Sequence, residues 1–174
     1  MKKIILTLCI GSLIALSCKN ATQDEKKEVS EETDTTEFKF SAESALKYLS
    51  SDELEGRDTG SEGVDKAAAY IEKAFQEFEV RPYFESYRDS FKLKQVDGFN
   101  VVGVLKAEES KELSPLVIGA HYDHVGILEA VENDSIANGA NDNATGTVAV
   151  LELAEFLSTQ ELERDVIFAL FSGE

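Results

Sequence analysis

Both histidines of the chain fall in one tetrapeptide, His121-Tyr122-Asp123-His124, directly after the apolar run Leu116-Val117-Ile118-Gly119-Ala120. Imidazole and carboxylate at this spacing are donor types that zinc takes, and they also serve proton transfer. Two more carboxylates stand at comparable places. Asp142 lies in Asn141-Asp142-Asn143, just ahead of an apolar segment, and Glu174 follows a second apolar run, Val166 to Phe171. Each has an ordinary reading when taken alone. His121 could be a hydrogen-bonded loop residue, Asp142 an acid favoured by a helix dipole, and Glu174 a chain end. Their joint placement carries the functional signal.

The elements around them say why they should meet. Leu116–Ala120 has no polar alternation and reads as a strand buried on both faces, as does Val166–Phe171. Between them, Val148, Val150, Leu151, Leu153, Ala154, Phe156 and Leu157 are too many apolar positions for one stripe, so the helix after Asp142 should be largely buried. Strand, helix, strand is a βαβ unit with parallel strands, whose C-terminal ends share one edge of the sheet. Ligands bind at that edge in open α/β folds, and His121, Asp123, Asp142 and Glu174 all fall on it. Upstream, Ser41 can cap a helix with Ala42, Ala45, Leu46 and Leu49 on one face. Ser61 can cap a second with Val64, Ala67, Ala68, Ile71, Phe75 and Phe78. Pro82 ends that region, and Ser90–Leu93 and Asn100–Leu105 read as antiparallel strands joined by a tight turn at Asp97-Gly98. Arg57, between Gly56 and Gly60, is expected to tie loops together.

Three segments carry a resemblance: Gly119-Ala120-His121-Tyr122-Asp123-His124-Val125-Gly126, Gly139-Ala140-Asn141-Asp142-Asn143-Ala144-Thr145-Gly146 and Phe171-Ser172-Gly173-Glu174. In that order they resemble the co-catalytic zinc aminopeptidases, peptidase family M28. The likeness extends upstream through Leu49 to Ser61, so that it covers roughly Ser41 to Glu174. It implies a three-layer α/β sandwich with a mixed, centrally parallel sheet and flanking helices, whose C-terminal part is missing here. It implies a peptide substrate and two zinc ions. His121 would bind one zinc, Asp142 would bridge both, Asp123 would orient His121, and Glu174 would be the general base. His124 has no ligand role in the family and is read as shaping its loop. The resemblance also implies a cis peptide bond between Asp142 and Asn143. Zinc suits the chemistry because it lowers a water's pKa to about 7 and polarises a carbonyl. Residues two apart on extended backbone point the same way, which would let Asp123 fix the His121 tautomer. If these roles hold, the functional atoms of His121, Asp142 and Glu174 should lie within about 10 Å of one another.

The family's further ligands would follow Glu174, so the chain as given is expected to bind zinc weakly and to be inactive by itself. A non-catalytic binding domain of the same fold, or an enzyme of the glutaminyl cyclase type with one zinc, are the other readings. Residues 1–17 read as a lipoprotein signal peptide: Lys2-Lys3 precede an apolar stretch, Ile4 to Leu16, too short to span a bilayer, and Ala15-Leu16-Ser17-Cys18 resembles a lipidation site. Residues 18–39 read as a disordered acidic tether and 40–174 as the N-terminal part of the catalytic domain. Such a protein would sit in the cell envelope outside the cytoplasm, held to a membrane by a lipid on Cys18. A net charge of −17 argues against nucleic acid as a partner. Asn141, Asn143, Thr145, Gly146 and Glu152 mimic a calcium-loop spacing, but the first position lacks aspartate and no entering helix precedes it.

Overall fold

The computed structural model describes residues 38–108 and 113–174. The expected signal segment, Cys18 and the tether as far as residue 37 lie outside the described residues. Helix α1 (Ala42–Leu49) and helix α2 (Glu62–Glu77) start where the hydroxyl residues predict. The Oγ atoms of Ser41 and Ser61 accept hydrogen bonds from the backbone N–H groups of Ser44 and Val64, each at 3.2 Å. Each bond satisfies one of the donors that a helix start leaves unpaired. A five-stranded sheet follows from β1 (Arg81–Pro82), β2 (Arg88–Leu93), β3 (Val96–Leu105), β4 (Leu116–His121) and β7 (Val166–Phe171). The strands β5 (Ile127–Val131) and β6 (Asp134–Ile136) form a separate antiparallel hairpin. Helix α3 (Thr145–Ser158) crosses between β4 and β7, which lie side by side and parallel, His121 opposite Phe171. The mixed sheet with helices packed on it is the α/β class that the apolar runs predict.

Two local expectations need correction. The tight turn between β2 and β3 is Lys94-Gln95, with Leu93 paired to Val96, and Asp97-Gly98 lies inside β3. Lys94 adopts the left-handed conformation that such a turn requires (φ 56°). Gly98 serves a different purpose, because it pairs with Phe91, whose ring crosses the glycine where a Cβ would come within 2.7 Å of it. The second correction concerns β4. Its partner among the described strands is β7 alone, and Leu116 and Val117 are 46% and 57% exposed. An unbroken apolar run predicts burial only when the strand has neighbours on both sides and cover on both faces.

The helices share one core with the near face of the sheet. Ile71, Phe75 and Leu151 pack with Val101, Phe168 and Leu170, all essentially buried. The outer side of α3 stays open at Leu153 and Phe156, so this helix is less enclosed than its composition suggests. None of the helices in the described residues is long and apolar enough to cross a membrane.

Arg57 is fully buried, and among the described residues no carboxylate accepts a hydrogen bond from its guanidinium. The group donates to four backbone carbonyls instead: Leu49 at the end of α1, Tyr122 after β4 (2.8 Å), and Asn138 (2.7 Å) and Gly139 (3.1 Å) ahead of Asp142. Burial pulls the Arg57 pKa below its usual range, while the Asp123 and Asp142 charges push it back. Arginine keeps its charge under such pressure, and its planar fork can serve carbonyls in several directions. An ammonium cannot reach them all, and each buried carbonyl left unpaired costs about 1–3 kcal/mol. Arg57→Lys should therefore destabilise the fold by roughly 3 kcal/mol, read as a lower urea midpoint at unchanged slope. A midpoint indistinguishable from wild type would remove Arg57 from this role.

Candidate metal centre

The strand β4 delivers His121 at its last residue, and the chain then turns so that Tyr122 and Asp123 are buried at 1% exposure each. Tyr122 locks this turn. Its N–H donates to Phe171 O at 2.9 Å and its hydroxyl to Phe99 O at 2.8 Å, and burial pushes its phenol pKa well up. Thr147, in the first turn of α3, donates its hydroxyl to His121 O at 3.0 Å, which sets the helix start against the strand end. Just before α3 the chain makes a wide turn at Ala140–Ala144, and the Asp142–Asn143 peptide bond is cis, as the family resemblance implies. Asn143 Oδ1 accepts the Gly146 N–H at 3.0 Å, holding the first turn of α3. Glu174 arrives from β7 through Ser172 and Gly173.

These three approaches bring one donor atom each from His121, Asp142 and Glu174 within 4.8 Å of one another. That is well inside the span expected from the sequence. His121 Nε2 lies 3.3 Å from Asp142 Oδ1, and His121 Nδ1 lies 3.3 Å from Glu174 Oε2. Donors around one zinc at 2.0–2.1 Å in a tetrahedron stand about 3.3–3.4 Å apart, so the His121–Asp142 pair has the separation of two ligands to one ion. The chemistry of the set, one imidazole and two carboxylates at a half-exposed edge, fits zinc.

Asp123 does more than the sequence suggests. Its Oδ1 is 3.7 Å from His121 Nδ1, while its backbone O is nearer that nitrogen at 3.2 Å. Its Oδ2 accepts three hydrogen bonds: from the Thr59 hydroxyl at 2.6 Å, the Gly173 N–H at 2.7 Å and the Glu174 N–H at 3.1 Å. One buried carboxylate thus fixes the backbone that carries Glu174 and lies close beneath His121. Thr59 joins the same knot, accepting a second bond from the Gly173 N–H at 3.1 Å. Residue spacing gave no warning of Thr59, which precedes Asp123 by 64 positions. His124, read from the sequence as a loop residue, turns its Nδ1 into the site: it lies 3.9 Å from Asp142 Oδ2 and 3.8 Å from Glu174 Oε2. That nitrogen and Asp123 Oδ1 are the buried polar side-chain atoms without a hydrogen-bond partner among the described residues.

Comparison with known proteins identifies the family and the fold. Residues 100–174 match peptidase family M28. The chain is 31% identical over 130 residues to the alkaline phosphatase isozyme conversion protein of Escherichia coli (strain K12), covering 68% of this chain and 38% of that protein. It is 31% identical over 75 residues to aminopeptidase YwaD of Bacillus subtilis (strain 168), covering 43% and 14%. It therefore spans well under half the length of these curated relatives. Among solved structures, a glutaminyl cyclase from Fimbriiglobus ruber superposes with a TM-score of 0.61 at 24% identity, over 79% of this chain and 47% of that one. The zinc aminopeptidase BSAP from Bacillus subtilis does so with a TM-score of 0.59 at 12% identity, over 76% and 61%. At such identities the likeness speaks for the fold, a mixed sheet with flanking helices. With the matched segment carrying Asp123, both histidines, Asp142 and Glu174, the chain belongs to peptidase family M28.

Proposed function

We propose that this chain is the N-terminal part of a zinc-dependent exopeptidase, most specifically an aminopeptidase that removes N-terminal residues from peptides. The observation that carries the reading is the convergence of His121, Asp142 and Glu174 on one point at the C-terminal edge of the parallel strand pair. His121 and Asp142 would hold zinc. A bound zinc would polarise the scissile carbonyl and acidify the attacking water. Glu174 would be the proton carrier, taking a proton from the attacking water and handing it to the leaving amine. Its side chain is partly open to solvent while its backbone is pinned by Asp123, so the carboxylate can swing between the two partners from a fixed base. The two unpartnered buried atoms at the site also favour a charged occupant, since buried polar groups are rarely left unpaired without a functional reason.

A second reading has the fold likeness to the Fimbriiglobus ruber glutaminyl cyclase in its favour. The two separate by substrate: a peptidase releases amino acids from aminoacyl reporters, and a cyclase converts N-terminal glutaminyl peptides without hydrolysing them. In the protein that carries this chain, Glu174→Gln should lower kcat on an aminoacyl reporter by about 10²–10⁴ while bound zinc, measured by elemental analysis, stays near wild type. Zinc lost together with activity would make Glu174 a ligand and overturn its role as the base. A wild type that cyclises glutaminyl peptides and leaves aminoacyl reporters intact would overturn the peptidase reading.

We further propose that the protein is exported and held to a membrane by a lipid on Cys18, on the strength of the Lys2-Lys3, Ile4–Leu16 and Ala15-Leu16-Ser17-Cys18 pattern. Expressed in a Gram-negative host, the wild type should partition with membranes, and Cys18→Ala should block its maturation. Wholly soluble wild type with an unmodified N-terminus would refute the anchor.

A further inference from the structure

Thr59 stands two residues after Arg57, so one short turn ahead of α2 touches both flanks of the site. Its methyl group lies against Gly98 of β3, where an added Cβ would come within 3.1 Å of it. The hydroxyl is fully committed. Its proton goes to Asp123 Oδ2 at 2.6 Å, the shortest of the three bonds on that oxygen. Its lone pairs face the Gly173 N–H at 3.1 Å and the Ser172 hydroxyl at 3.3 Å. Strand β7 ends at Phe171, so the backbone of Gly173 and Glu174 is held by these hydrogen bonds and not by a strand ladder. A carboxylate turns easily about its last torsion and can exchange its two oxygens. The Gly173 and Glu174 N–H groups belong to the segment that is to be held, so they cannot by themselves fix the group that holds it. Thr59 comes from a different part of the chain and supplies the independent donor.

We propose that Thr59 is a positioning residue for Glu174. Its hydroxyl locks the Asp123 carboxylate so that Oδ2 clamps the Gly173 and Glu174 N–H groups, while Oδ1 is left beside His121. This rests on the reading of Glu174 as the proton carrier and gives that carrier a rigid base from far upstream. A misplacement of about 1 Å can cost 10²-fold in rate. Loss of the hydroxyl should therefore appear in kcat and leave KM almost untouched.

The test uses the full zinc-loaded protein that carries this chain, with two reciprocal variants. Thr59→Val keeps a methyl against Gly98 and removes the hydroxyl, whereas Thr59→Ser keeps the hydroxyl and removes the methyl. Thr59→Val should lower kcat on an aminoacyl reporter by about 10–10²-fold, with KM and bound zinc within about twofold of wild type. Amide hydrogen exchange over Ser172–Glu174, followed by mass spectrometry, should quicken by about tenfold or more in the same variant. Thr59→Ser should stay close to wild type in both. If Thr59→Val does not fold, Thr59→Ala is read in its place. Wild-type kcat or wild-type exchange in the hydroxyl-free variant, with Glu174→Gln inactive, would overturn the positioning role and leave the base standing. Equal losses in Thr59→Ser and Thr59→Val, or collapse of both hydroxyl-free variants, would make Thr59 a packing residue and overturn it too. Undiminished turnover in Glu174→Gln would instead bring down the base, and this inference with it.

Discussion

A single buried guanidinium holds the site's loops in register. Arg57 spans the end of α1, the turn after β4 and the approach to Asp142, and it does so through carbonyl groups that the surrounding loops leave free. Loops rarely run through a protein's interior because their backbone groups go unpaired there. Here one side chain with five donors supplies the missing partners, so three irregular segments can converge with these carbonyls paired. Arg57 also accepts the His124 N–H through its own carbonyl, and its neighbour Gly56 accepts the Gly126 N–H. The positions of His121, His124 and Asp142 are therefore coupled to one residue far upstream.

Asp123 performs the matching task on the other flank. Its Oδ2 gathers the Thr59 hydroxyl and the N–H groups of Gly173 and Glu174, while Oδ1 is left in the shadow of the His121 ring. Three donors on one oxygen hold this buried carboxylate in place beside the imidazole. Arg57 and Asp123 thus divide the site between them. The cation fixes the loops that bring the histidines and Asp142, and the anion fixes the strand end that brings Glu174. His121 and the carboxylates then meet at a point none of the elements could define alone.

Much of this was legible in the sequence because it rests on local rules. Ser41 and Ser61 announce helix starts, and the two apolar runs flanking a helix announce parallel neighbours and hence a shared edge for His121, Asp142 and Glu174. The misplaced turn shows where local rules compete. Asp97-Gly98 is a strong turn signal, but the cross-strand ring of Phe91 claims Gly98, and the turn moves to the weaker pair Lys94-Gln95. The exposure of β4 depends on how many neighbours the strand has, a property no stretch of six residues encodes. Thr59 and the inward Nδ1 of His124 escaped for a related reason: both depend on contacts between segments distant in the chain. Arg57 was the exception, since an arginine between glycines in an upstream turn suggested a tie between loops, though not its four partners.

The β5–β6 hairpin has a consequence for how this chain can vary in length. Its outer residues Ile127, Leu128 and Val131 are exposed, and it leaves and returns through a narrow neck where the Ala137 N–H donates to Gly126 O and the Gly126 N–H donates to Gly56 O. The neck isolates the hairpin's geometry from the two segments it separates, His121–His124 and Gly139–Asp142. Insertions and deletions are best tolerated where the affected backbone is exposed and its ends are held together. Residues 127–136 meet both conditions although they fall, in sequence, between the residues that make the site. Homologous proteins can thus lengthen, shorten or replace this hairpin while the chemistry on either side of it stays in register.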